Sequence, residues 1–134
     1  MDLSFIAALG LVNSIGGSVE TGAALLFAFL VGHAIADFPL QGSFLAIGKE
    51  RHGDLEKLTG IAWPRGVWLY CLTMHSLIHG GAVWLISGST TLGFVEFGLH
   101  WMIDFAKSSR WTSFYTDQAL HIACKIGYVF FLVS

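Results

Sequence analysis

Four apolar stretches of this chain each carry one pair of ionisable residues four positions apart, every member a histidine or an aspartate. They are His33 with Asp37, His75 with His79, His100 with Asp104, and Asp117 with His121. Residues at that spacing share one face of a helix, about one turn apart. The first and third pairs belong to one recurring motif, His33-Ala34-Ile35-Ala36-Asp37-Phe38 and His100-Trp101-Met102-Ile103-Asp104-Phe105. An ionisable side chain in a hydrocarbon-facing helix is costly and by default marks function. The pattern therefore calls for helices that turn these faces toward one another in a bundle interior.

Composition says what surrounds such helices. Of the 134 residues, 54% are hydrophobic and 12% charged, whereas a soluble domain is about one-quarter charged. Mean hydropathy is +0.67. The length suits one domain, and the lipid bilayer is its expected partner. With a net charge of −2 and no basic tract, nucleic acid is not an expected partner. Cys71 and Cys124 lie in apolar segments without close-spaced zinc ligands and read as small buried hydrophobes.

Residues 3–12 (LSFIAALGLV) are apolar but fall short of the roughly 20 needed to span a bilayer. That run is expected as a short interfacial or re-entrant helix within an N-terminal interfacial segment, 1–19, and 20–134 as the membrane domain. Spans are expected at about 20–38, 66–87, 91–106 and 117–134, the third slightly short. Pro39 ends the first. The polar connection 42–65 holds Lys49, Glu50, Arg51, His52, Asp54, Glu56, Lys57 and Arg65. Glycines 48, 53 and 60 and Pro64 forbid one continuous helix there, although a short surface helix fits. The expected fold is an all-α, polytopic membrane four-helix bundle. The recurring motif suggests two repeated helical hairpins related by an axis along the membrane normal. Lys and Arg concentrate in 42–65 and in Lys107–Arg110, which puts those connections in the cytoplasm and both termini outside. Lys125, inside the last span, must snorkel or pair with a carboxylate.

This orientation brings the pairs near the cytoplasmic face, with His75 and His79 entering deeper, two to four turns into their span. Five histidines and three aspartates suit one or two divalent ions, of zinc, iron or manganese. The expected ligands are His33, Asp37, His75, His79, His100, Asp104 and His121. Asp117 is placed as a base or as a group orienting a ligand; the bland reading makes it a helix-start residue. Lys107, three residues past Asp104, would hold an anionic group of a substrate or anchor its helix at the interface. Gln41, four past Asp37, would contact substrate unless Pro39 turns it away. Gln118 should face elsewhere, His52 should meet solvent, and Cys71, four before His75, should pack in the core. The competing view of the whole layer is a polar glue that fixes helix packing.

The segments HAIADFPLQ (33–41), HSLIH (75–79), HWMIDFAK (100–107) and DQALH (117–121), in this order, resemble a bacterial integral-membrane family catalogued as domain of unknown function 3307. The resemblance covers about residues 25–125 and implies a multi-pass protein of the bacterial inner membrane, without implying an activity. A more distant likeness is to small membrane-bound metal-dependent hydrolases, which also cluster His and Asp at helix ends; hydrolase follows from it by analogy only. Three functional classes follow from these readings. One is a metal-dependent hydrolase of an amphipathic or phosphate-containing substrate. The second is a proton- or metal-ion-handling subunit, which requires polar groups continuing toward the outer face, where Glu96 is the main one. The third is a structural subunit of a homo-oligomer or larger membrane assembly.

Overall fold

The computed structural model describes residues 19–134; the interfacial helix expected before them lies outside the described residues. The described residues form six helices and no strand: α1 (Val19–Asp37), α2 (Gly42–Gly48), α3 (Leu55–Thr59), α4 (Val67–Ser87), α5 (Thr90–Ser108) and α6 (Phe114–Val133). The four long helices match the expected spans to within three residues. α5, expected to be slightly short, is 19 residues long.

Local chemistry sets the ends. α1 stops at Asp37, two residues ahead of Pro39, because proline disfavours helix before it. Gly88 closes α4 in the left-handed conformation at φ 69°, which glycine adopts without a Cβ penalty. The next residue, Ser89, accepts from the Leu92 amide and starts α5. Ser113 does the same for α6, accepting from the Thr116 amide. Such a cap is worth about 1 kcal/mol. Asp117 is therefore not the cap; it lies in the first turn, where an acidic residue suits a helix start, and is fully buried.

The long helices run up, down, up and down, and pack in the ring α1–α4–α5–α6–α1. The α4–α5 contact is intimate. A Cβ on Gly80 would stand 2.7 Å from the Gly93 carbonyl oxygen, and one on Gly93 would stand 2.8 Å from the Trp84 Cβ. Two facing glycines bring these backbones together.

Burial is inverted relative to a water-soluble bundle. The interior holds His75, His79, Glu96, His100, Asp104, Asp117, His121 and Lys125, while Phe27, Phe94, Met102, Phe130 and Phe131 are each more than 60% exposed. The apolar part of the core lies toward the Val19 end, where Phe29, Val83, Leu92 and Tyr128 pack together. Only α1 and α4, among the described residues, are both long and apolar enough to cross a membrane. α5 and α6 carry Glu96, Asp104 and Lys107, and Asp117 and Lys125, within their lengths.

The connection 42–65 is not a free loop. α2 packs on α4, with Gly48 so close to Cys71 that a Cβ there would stand 2.7 Å from its Sγ. The first turns of α4 thus lie alongside α2, and His75 and His79, although deep in their own helix, still reach the level of Asp37.

Candidate metal centre

The i, i+4 pairs of all four long helices meet in one layer. On α1, His33 Nε2 is 3.3 Å from Asp37 Oδ2. From α4, His79 Nε2 and His75 Nε2 lie 3.2 and 3.4 Å from Asp37 Oδ1. On α5, Asp104 Oδ2 lies 3.5 Å from His75 Nε2 and 3.9 Å from His100 Nε2. From α6, His121 Nε2 is 3.2 Å from Asp104 Oδ1 and 3.7 Å from Asp117 Oδ1. The imidazoles stack closely, with centroids 3.6 Å apart for His79 and His100 and 4.1 Å apart for His100 and His121.

Two sets of donor atoms converge tightly enough to hold a metal ion. One is Asp37, His75, His79 and His100; the other is His100, Asp104 and His121. Within each set the donors lie within 4.8 Å of one another. The chemistry of the donors fits: imidazole nitrogen and carboxylate oxygen suit zinc, iron and manganese alike. Several buried polar atoms also lack hydrogen bonds among the described residues, namely both ring nitrogens of His33, His75 Nδ1 and Asp117 Oδ1. Buried polar atoms are normally paired, and a bound ion or water in this layer would supply such partners. His33 borders the first set without belonging to it, and Asp117 stands outside both.

Behind the layer lies a tier that sequence reading brought out only in part. Glu96 Oε1 is 3.1 Å from His100 Nδ1. It also receives the Lys125 ammonium, and its Oε2 accepts from the Tyr128 hydroxyl at 2.8 Å. A carboxylate only accepts, so the proton of His100 sits on Nδ1 and Nε2 is left as the donor atom. The spacing of Glu96 four before His100 and of Lys125 four after His121 carried this signal. The pairing of the two was not readable, since it joins residues 29 positions apart.

At the Asp37 end the layer opens into a cavity of about 150 Å³, lined by Asp37, Gln41, Lys49, Asp104, Lys107, Asp117 and Gln118, among others. Gln41 thus reaches the mouth despite Pro39. Gln118, expected to face elsewhere, lines it and donates to Asp117 Oδ2 at 3.2 Å, because a side chain next to a buried aspartate at a helix start can fold back over it. Lys107 Nζ is 3.8 Å from Asp117 Oδ2 and 3.9 Å from Glu50 Oε1. Lys49 was not anticipated. It is 5% exposed and donates to Asp104 Oδ2 at 2.7 Å. No periodicity marks it, since it follows a seven-residue helix in the polar connection. His52 is exposed, as expected. Cys71 is buried against Gly48 and lies in neither donor set.

A family profile described as "Protein of unknown function (DUF3307)" matches residues 25–133, and the chain belongs to that family. No curated protein and no solved structure matches it.

Proposed function

We propose that this protein is a membrane-embedded, metal-dependent hydrolase acting on an amphipathic or phosphate-containing substrate that enters through the mouth beside Lys49 and Lys107. The observation that carries the reading is the convergence of five imidazoles and two aspartates from four helices beneath a cavity flanked by two lysines.

All four long helices are read as spanning. α5 and α6 are less apolar than α1 and α4, yet their charged Glu96, Asp104, Asp117 and Lys125 are all at most 3% exposed. What α5 and α6 present outward is Phe94, Met102, Ile122, Ile126, Phe130 and Phe131, a surface suited to lipid. Exposed aromatic residues at the mouth end, among them Phe38, Trp111, Phe114 and Tyr115, suit the band where a membrane meets water. The basic residues of 42–65 and 107–110 favour a cytoplasmic setting for that end, in a bacterial inner membrane.

In this reading His33, Asp37, His75, His79, His100, Asp104 and His121 form the metal layer. A bound divalent ion would supply Lewis acidity, acidifying a water and polarising a phosphoryl or acyl oxygen. The protein's own groups do the rest. Glu96 fixes the ring of His100, Lys107 and Gln41 hold an anionic group at the mouth, and Asp117 stands ready to take a proton. The apolar end excludes water from the far side. A proton path would need polar groups continuing past Glu96, and among the described residues Phe29, Val83 and Leu92 pack around Tyr128 there instead, which favours a one-sided site.

The test is elemental analysis of detergent-purified protein, together with hydrolysis of p-nitrophenyl phosphates and acyl esters of increasing chain length. Stoichiometric zinc, iron or manganese, with turnover abolished in His100→Ala, is the expected result. Protein without metal, and turnover unchanged in His100→Ala, would overturn the reading.

A further inference from the structure

The two donor sets compete, for two independent reasons. The first is charge. Four carboxylates lie within the bundle: Asp37, Glu96, Asp104 and Asp117. Three of them have an ammonium partner. Lys125 pairs with Glu96, Lys49 with Asp104 at 2.7 Å, and Lys107 with Asp117 at 3.8 Å. The ion-pair partners of Asp37 among the described residues are imidazoles alone, His33, His75 and His79. Its charge is the one left without a resident cation, and it is 16% exposed. A largely buried charge beside the mouth, ringed by imidazoles, is well placed to take a mobile cation as its counter-charge.

The second reason is valence. Both sets draw on His100, whose Nδ1 is committed to Glu96. One free ring nitrogen ligates one ion. If it serves the Asp37 set, the Asp104 set is left with two donors.

We propose that the centre is mononuclear: one divalent cation sits on Asp37, His75, His79 and His100, and the Lys49 ammonium takes the place of a second cation at Asp104. The proposal rests on the metal-centre reading above and narrows it. Lys49 is fastened for this role. The preceding Gly48 lies against Cys71, and the Arg51 amide donates to Ser108 Oγ at 3.0 Å, which pins the segment to the end of α5. A second divalent ion at Asp104 would share that carboxylate with a fixed ammonium, and like charges in a low-dielectric site repel strongly.

The experiment loads purified full-length protein with manganese(II), removes free ion, and counts manganese per chain. Wild type is expected to hold one ion and to give the six-line spectrum of isolated manganese in electron paramagnetic resonance. Asp37→Asn should lose the ion and Asp104→Asn should keep it. Adding Lys49→Met to Asp37→Asn should restore one ion, now held at Asp104, His121 and His100. Two ions per wild-type chain, or an exchange-coupled manganese pair, would overturn the proposal while leaving the metal centre standing. So would a folded double variant that stays empty. No ion in wild type would overturn the metal centre and this proposal with it. Should the double variant fail to fold, the wild-type count and spectrum still decide.

Discussion

His33–Asp37 and His100–Asp104 are copies of one motif on helices that run the same way. Each aspartate meets the second member of the i, i+4 pair on the next long helix, Asp37 with His79 and Asp104 with His121, both at 3.2 Å. Their surroundings nevertheless differ. Four residues before the histidine stands Phe29 in one copy and Glu96 in the other. Phe29 joins the apolar core with Val83 and Leu92, and both ring nitrogens of His33 lack hydrogen bonds among the described residues. Glu96 accepts from His100, which is thereby oriented and bonded through both nitrogens. The carboxylates differ too, since Lys49 sits on Asp104 while, among the described residues, Asp37 pairs with imidazoles alone. The repeated motif lays out a face, and the residue one turn earlier decides what each copy can do.

The comparison is broken most forcefully at Glu96. Glu96→Ala strands the Lys125 ammonium in the interior and should cost about 3–5 kcal/mol, read as a lower thermal midpoint in detergent. Adding Lys125→Met should recover most of that loss. Phe29→Ala, at the matching place, also destabilises by opening a cavity, but Lys125→Met should not rescue it. Rescue of both would mean the two positions are equivalent after all.

Metal affinity separates the two histidines next. His100→Ala should weaken binding of manganese or zinc by more than the roughly 10–100-fold that follows loss of a merely orienting partner. His33→Ala should fall within about tenfold, because His33 lies outside both donor sets. Equal losses would return His33 to the ligand shell.

Beyond the aspartates, Lys107 and Gln41 flank the mouth. Lys107→Ala should lower kcat/KM for a phosphate-bearing substrate by about tenfold, some 1.4 kcal/mol, with metal content unchanged. Gln41→Ala should have the smaller effect of the two, since it removes no charge. The smallest change belongs to the outward positions of the motif copies, Ile35 and Met102. Alanine at either should shift stability by about 0.5 kcal/mol or less, and a large change there would mean that the outer face is covered by protein.

Much of the fold was legible because helix periodicity and hydropathy are local. The four long helices, the polar pairs on them and the short Gly88 turn follow from residues near one another in the chain. The same locality hid the rest. Lys49 reads as one of several charges in a polar stretch, and only the docking of α2 on α4 carries it to Asp104. Gln118 read as facing away because helical phase ignores a side chain that folds back along the helix. Lys125 asked for a carboxylate, and the sequence offered several; Glu96 was chosen by the packing of α5 beside α6.

The sequence by itself determined that histidines and aspartates would line one face of each of four apolar helices, because a helix repeats every 3.6 residues and charge avoids apolar surroundings. Tertiary structure alone decided which carboxylates received a lysine and which did not. Coulombic pairing depends on distance in space, and ion pairs such as Lys49 with Asp104, 55 residues apart in the chain, exist only once the helices have closed on one another.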